Sequence, residues 1–297
     1  MAQLEAETDT NPVSALGVIG AGTMGHGIAQ TAILAGVETT LIDIDSAALD
    51  RALESIGNGL ERLVSRDRIS DDDRNAALAR LQTSSEMTAL TSVDAVIEAA
   101  SERIELKRTL FEQIDAVADE ALFIASNTSS IPIQQIAVAL APERRARAVG
   151  LHYFNPAQVL PLVEVVRPLT ASDEAIAAAE AFVRATGKTP IAAQDTPAFI
   201  VNRLFVPMAL DALRMWESGV ASAEDIDRGC QLGLGHNMGP LATSDLVGLD
   251  VLLDVSESMF EELRDPHVAP PTILRRLVAA GRLGRKSGHG VFDYSEF

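Results

Sequence analysis

The chain has 297 residues, 47% hydrophobic and 22% charged, enough for a sizeable core in one large or two modest domains. Its net charge of −18 and pI near 4.6 argue against nucleic acid as a partner, because no basic stripe exists to neutralise phosphates. Cys230 is the only cysteine, so no disulfide within the chain and no Cys-based metal site is possible, and no apolar run is long enough to span a membrane, which makes the cytoplasm the default location.

Residues 1–13 read as a polar, disordered lead-in, without the basic start and apolar stretch of a signal peptide. An apolar run, Leu16 to Ile19, then enters Gly20-x-Gly22-x-x-Gly25, and an Ala-rich helical pattern follows. A second apolar run, Thr39 to Ile42, ends at Asp43, 18 residues after Gly25. Strand, glycine turn, helix, strand and acid in this order make a dinucleotide site. Gly20 permits the tight turn, Gly22 lets the backbone approach a pyrophosphate, and Gly25 lets the helix pack close to the strand. Ala21, Thr23 and Met24 complete the turn, and the first N–H groups of the helix favour phosphate. A carboxylate at Asp43 accepts hydrogen bonds from ribose hydroxyls and repels a 2′-phosphate. No Arg or Lys stands beside it, so the cofactor reads as NAD rather than NADP.

The pattern from Ser46 to Leu81 is helical, broken near Ser70, and reads as an inserted, projecting helix pair over residues 46–81. Strands are predicted at Asp94–Glu98, Ala121–Ala125, Ala148–Tyr153, Leu162–Val166 and Thr189–Ala193, with helices at Ile104–Val117 and Ser172–Thr186. Ser172 is the N-cap of the second helix and Gly187 stops it. β-type alternation ends near Asp195. Four helical patterns follow: Phe199–Ser218, Ala223–Leu232, Leu241–Leu263 and Thr272–Ala280. The fold class is α/β: a Rossmann-type doubly wound parallel sheet over residues 14–194, then an all-helical domain over 195–297. A helical domain of about a hundred residues often buries apolar faces against a second copy, so a homodimer through this domain is expected.

His152 falls at the end of a predicted strand, where open α/β sheets place their ligands, and is suited to exchange a hydroxyl proton. Glu164 is a carboxylate inside an apolar run. It is either an outward residue on an edge strand or a buried partner that orients an imidazole. Ser126 follows a strand and either caps a turn or donates to a substrate oxygen. Asn202 is an amide at an apolar helix start, either satisfied by backbone or facing a ligand. The other histidines, His26, His236, His267 and His289, are assigned no chemistry.

Together these segments resemble the L-3-hydroxyacyl-CoA dehydrogenases, especially the short bacterial 3-hydroxybutyryl-CoA dehydrogenases, from about Leu16 to Tyr294. The marks are the Gly20–Gly25 turn, Val96–Ala100, Ser126–Ser130, His152–Pro156, Leu162–Val165, Phe199–Arg203, Gly239-Pro240, Asp245–Asp250 and Gly284–Gly288. The resemblance implies His152 as catalytic base with Glu164 as its partner, and Ser126 and Asn202 around the substrate oxygen. It implies NAD contacts at Glu102, Lys107, Ser126, Asn155 and Lys286, and an acyl-CoA substrate held through Arg66 and Ser126. Arg62 and Arg68 stand beside Arg66 and can assist. Gly59 stands where some relatives carry a CoA-contacting Ser. Two other readings are a dehydrogenase of a free hydroxy acid, of the L-gulonate or carnitine type, and a non-catalytic NADH-binding protein like the lens crystallins.

Overall fold

The structure, a computed structural model, describes residues 11–295. Residues 1–10 of the expected lead-in lie outside them, while Val13 is buried in the core. The chain divides into two compact units, the first ending at Asp195 and the second beginning at Thr196.

The first unit holds one sheet of eight strands: β1 (Ala15–Ile19), β2 (Glu38–Ile42), β3 (Leu81–Ser84), β4 (Ala95–Glu98), β5 (Phe123–Ser126), β6 (Ala148–Tyr153), β7 (Leu162–Arg167) and β8 (Thr189–Gln194). Their spatial order is β3-β2-β1-β4-β5-β6-β7-β8, so the direction of winding reverses between β1 and β4. The helices are α1 (Thr23–Leu34), α2 (Ser46–Val64), α3 (Asp71–Ala79), α4 (Ile104–Asp115), α5 (Ile133–Ala137) and α6 (Asp173–Ala185). Strand residues alternate between the two faces. Leu16, Val18, Ile97, Ala125, Val149 and Leu151 pack with α1, α2 and α6. Ile19, Val96, Ile124 and Ala148 pack with Phe111 and Ile114 of α4 and Ile136 of α5. Both faces are covered, which is why these strands read as continuous apolar runs.

Three features depart from expectation. The sheet is not wholly parallel, because β7 runs antiparallel to β6. Only eight residues join them, too few for the crossover a parallel pair requires. β3 was not predicted and starts where the predicted helical stretch ends; its sequence, Leu-Gln-Thr-Ser, is that of a half-exposed edge strand with no apolar signature. The expected projecting pair, α2 and α3, lies against α1, burying Leu49, Ala52, Ile56, Leu60 and Ala77 in the core. Local signals elsewhere hold: the Ser172 hydroxyl accepts from the Ala175 N–H at 3.1 Å, and Gly187 stops α6 at φ +73°.

The second unit is helical: α7 (Val201–Glu217), α8 (Ala223–Leu234), α9 (Pro240–Val247), α10 (Leu249–Leu263) and α11 (Thr272–Ala279), around a core that includes Leu210, Leu213, Leu241, Leu252 and Leu274. The predicted helix over 241–263 is two helices, divided at Gly248, whose φ of +111° lies outside the helical region. Asp227 of α8 accepts from the N–H groups of Leu241 and Ala242, both at 2.8 Å, and so caps α9. A Cβ at Gly239 would lie 2.2 Å from Asp227 Cγ, which explains the glycine. Asp245 accepts from the N–H groups of Val291 and Phe292, both at 2.9 Å, tying the C-terminal segment to α9. Among the described residues no helix is long and apolar enough to cross a membrane.

Candidate active site

The site follows from strand register. Glu98 pairs with Ser126, Ser126 with Gly150, and His152 with Glu164. Residues opposite one another in a sheet face the same side, as do residues two apart on one strand. Glu98, Ser126, His152 and Glu164 therefore share the face covered by α4 and α5, on four adjacent strands. Below them that face is apolar, with Val96, Ile124 and Ala148.

His152 is 5% exposed and Glu164 fully buried. Their Nδ1 and Oε2 atoms lie 2.6 Å apart. A carboxylate only accepts, so Nδ1 carries the proton and Nε2 is the nitrogen that takes or gives one. The Phe154 ring packs on the imidazole, with centroids 4.5 Å apart. The two alternatives for Glu164 are thus resolved: it is no edge residue, since β8 pairs with β7 on its other side. The antiparallel register of β7 on β6 is what sets the carboxylate directly opposite the histidine.

Ser126 is also buried, but its hydroxyl proton goes to Glu98 Oε2, at 2.6 Å, rather than to open space. Glu98 takes both oxygens to Lys107 Nζ, at 2.9 Å each, and accepts the Ala100 N–H at 2.7 Å. Lys107, 1% exposed, is thus committed to carboxylates, with Glu102 Oε2 at 3.3 Å as its second. Glu102 Oε1 accepts from Thr128 Oγ1 at 2.6 Å and from the N–H groups of Ser129 and Ser130 at 2.9 and 3.1 Å. Burial works to raise the Glu102 carboxyl, but the Lys107 ammonium and the bonds from Thr128 and Ser129 outweigh it and hold it below its ordinary range. Glu98 escaped the sequence reading, although the signal that singled out Glu164, a carboxylate in an apolar run, is equally present at Val96-Ile97-Glu98.

The glycine turn lies after β1, at the reversal of winding order, where α/β sheets bind dinucleotides. Gly20 has φ +98°, and a Cβ there would lie 2.7 Å from the Ala99 carbonyl oxygen. A Cβ at Gly25 would lie 1.7 Å from the Gly20 carbonyl oxygen, so only glycine lets α1 start here. A Cβ at Gly22 meets nothing within 4 Å, and no side chain caps α1. The turn therefore presents backbone and an uncapped helix start to open space, which fits a dinucleotide pyrophosphate. Asp43 Oδ2 accepts the Ala21 N–H at 2.8 Å, which holds the carboxylate beside the turn. Thr23 and Met24 form the first turn of α1.

Asn155 is exposed in the β6–β7 connection, ahead of Pro156. Lys188 Nζ ties that connection down, donating to the carbonyls of Ala157 and Leu160 at 2.7 and 2.8 Å. Arg62, Arg66 and Arg68 are exposed at the end of α2 and in the turn after it. Gly59 faces the other way: its Cβ would lie 2.5 Å from the Gln30 side-chain oxygen on α1, so that position looks into the α1–α2 contact. Asn202 and Lys286 belong to the second unit, Asn202 in the first turn of α7 and Lys286 paired with Asp250 at 2.6 Å.

Comparison with known proteins agrees over nearly the whole chain. The family profile described as 3-hydroxyacyl-CoA dehydrogenase, NAD binding domain, matches residues 15–196, and the profile of the C-terminal domain of the same enzymes matches residues 199–294. The 3-hydroxybutyryl-CoA dehydrogenase of Mycobacterium tuberculosis is 42% identical over 287 residues, covering 96% of this chain and all of the relative. That of Bradyrhizobium diazoefficiens is 38% identical, covering 95% and 96%. The crystal structure of (S)-3-hydroxybutyryl-CoA dehydrogenase from Ralstonia eutropha superposes with a TM-score of 0.91 at 42% identity, covering 96% of this chain and all of that one.

Proposed function

The chain belongs to the 3-hydroxyacyl-CoA dehydrogenase family, and we propose that His152 and Glu164 are its acid–base pair in the reversible oxidation of a short-chain L-3-hydroxyacyl-CoA, 3-hydroxybutyryl-CoA, to the 3-oxoacyl-CoA. The chain is an NAD-dependent 3-hydroxyacyl-CoA dehydrogenase; the assignment of residues to steps is the proposal. Bound NAD+ supplies the acceptor for the hydride that leaves C3. His152 Nε2 takes the C3 hydroxyl proton, and Glu164 stabilises the imidazolium that results while keeping the ring oriented through Nδ1. In the reverse direction the imidazolium returns the proton to the C3 oxygen. A positioned acid–base group of this kind contributes about 10²–10⁴ in rate. The single observation behind this reading is the buried 2.6 Å contact between Nδ1 and Oε2 at the carboxyl end of β6.

The Gly20–Gly25 turn and Asp43 hold the dinucleotide in this proposal, with Glu102, Lys107, Ser126, Asn155 and Lys286 as further cofactor contacts. Lys107 acts there by holding Glu98 and Glu102, since its ammonium is already engaged by both. Ser126 and Asn202 are each assigned a hydrogen bond to the substrate oxygen, as the family resemblance implies. Arg66, helped by Arg62 and Arg68, takes the CoA phosphates; three exposed arginines within seven residues are a basic exception on a chain of net charge −18. Leu204, Leu232 and Leu234 of the second unit are 72%, 77% and 66% exposed, which supports a homodimer through that unit. Light scattering at twice the chain mass is expected; the mass of one chain refutes it. A cytoplasmic setting suits the single free Cys230.

The test is a purified-enzyme assay with acetoacetyl-CoA and NADH, beside L-gulonate and carnitine with NAD+, and with NADPH as the cofactor control. Turnover of the thioester with preference for NADH is expected, and loss of at least about 10²-fold in His152→Ala. Failure on the thioester with turnover of a free acid reverses the substrate assignment. NADH binding without any turnover favours the crystallin-like alternative.

A further inference from the structure

Ser126 has one proton, and it is spent. The hydroxyl donates to Glu98 Oε2 at 2.6 Å. Glu98 has no proton to return: Lys107 Nζ reaches both its oxygens at 2.9 Å and the Ala100 N–H reaches Oε1 at 2.7 Å, so every neighbour of this fully buried carboxylate is a donor. Of the two lone pairs on Ser126 Oγ, one accepts the Thr128 N–H at 3.3 Å. One acceptor position remains.

Ser126 shares the sheet face with His152, one strand and two residues away, about 8 Å between Cα atoms by the spacings of a sheet. That spacing allows one group to reach both side chains. An alcohol at C3 has a proton to give to an acceptor. A ketone has none, and a serine without a spare proton cannot bind it.

We propose that Glu98 is a positioning residue: by taking the Ser126 hydroxyl proton it makes Ser126 an acceptor, which holds the substrate in its 3-hydroxy form and not in its 3-oxo form. This rests on the activity assigned above. The hydroxyl rests on Ser126 in the ground state and turns to His152 to deliver its proton, so the donor to the ketone in the reverse reaction is His152 and not the serine. The sequence reading, in which Ser126 donates to a substrate oxygen, is the opposite polarity.

The chemistry of glutamine makes the polarity testable. In Glu98→Gln the Ala100 N–H holds the amide oxygen where Oε1 now sits, which turns the NH2 group toward Ser126. Ser126 then accepts from residue 98, and its proton is released toward the ligand. Lys107 keeps the amide oxygen at the Oε1 position and Glu102, now 3.3 Å away, as its acceptors, and draws back from the NH2 group that replaces Oε2. Affinities are measured by calorimetry in two complexes that cannot turn over: NADH-loaded enzyme with 3-hydroxybutyryl-CoA, and NAD+-loaded enzyme with acetoacetyl-CoA.

One hydrogen bond gained or lost corresponds to roughly 2- to 10-fold in each dissociation constant. Ser126→Ala should weaken the hydroxy thioester by that factor and the oxo thioester by much less. Glu98→Gln should weaken the hydroxy thioester and tighten the oxo thioester. In the Ser126→Ala background, Glu98→Gln should leave the ratio of the two affinities unmoved. If Glu98→Gln does not fold, Glu98→Gln with Lys107→Met removes both buried charges and carries the same test. Ser126→Ala tests the acceptor with both charges in place, Glu98 Oε2 losing one donor and keeping Lys107. The proposal is overturned if Ser126→Ala weakens both thioesters equally, or if Glu98→Gln shifts the ratio equally with and without Ser126. A wild-type enzyme that turns over neither thioester overturns instead the activity on which the proposal rests.

Discussion

Replacing Glu164 by Gln separates the charge of the carboxylate from its shape. The amide oxygen still accepts from His152 Nδ1, which now lies 2.6 Å from Glu164 Oε2, so ring orientation and tautomer survive. The loss is a negative charge facing the imidazolium. Two opposite unit charges about 4 Å apart, at an effective dielectric constant of about 20, attract by about 4 kcal/mol. The imidazolium exists only once the C3 proton has moved, so this energy belongs to the transition state and to the ketone complex beyond it. Part of the charge has developed at the transition state, so a fall in kcat of about 10²–10³ is expected, given a factor of ten for each ~1.4 kcal/mol. Glu164→Ala should fall further, because the ring also loses its orientation. The assay is kcat for oxidation of 3-hydroxybutyryl-CoA, the direction in which the imidazolium forms, with NADH affinity from fluorescence titration as the check on folding. Since Glu164 lies on β7 and the glycine turn comes after β1, NADH affinity should change little. A folded Glu164→Gln enzyme with kcat within about fivefold of wild type refutes the electrostatic reasoning.

Three further outcomes are expected. Gly22→Ala adds a methyl that meets nothing within 4 Å, so thermal stability should hold within about 1 kcal/mol while NADH binding falls at least tenfold. Gly25→Ala forces a methyl onto the Gly20 carbonyl and should destabilise by roughly 1–3 kcal/mol or more; unchanged NADH affinity in Gly22→Ala removes the pyrophosphate from the turn. Burial raises the Asp227 carboxyl above its ordinary range, so the folded chain holds that proton more tightly than the unfolded chain. Its share of stability is full below the unfolded value of about 3.9 and is lost as pH rises through the raised folded value. Denaturation across acidic pH should show wild-type stability relative to Asp227→Asn falling over that window and level above it; a rise with pH refutes the sign.

Much of the molecule was legible along the chain because its determinants are local. The Gly20-x-Gly22-x-x-Gly25 turn is readable because each glycine answers a steric demand within a few residues. Buried strands show as apolar runs, and Ser172 and Gly187 bound α6 by capping chemistry that needs no distant partner. β3 was not legible, since an edge strand of polar residues gains its identity from pairing with β2. Nor was the division of α9 from α10, where Gly248 adopts a positive φ inside an otherwise unbroken helical pattern.

The site divides in the same way. Residue types at strand ends, read from the sequence, determined that a dinucleotide turn, a histidine and a carboxylate belong to one protein. Only the tertiary structure decided which of them meet and with what polarity. The antiparallel turn from β6 into β7 is a matter of connection length and sheet direction, and it alone puts Glu164 opposite His152. That Ser126 gives its proton to Glu98 depends on two strands 28 residues apart in sequence and on the lysine of a helix that comes after the first of them. Hydrogen-bond direction is a property of the whole neighbourhood of an atom, and a linear chain does not carry it.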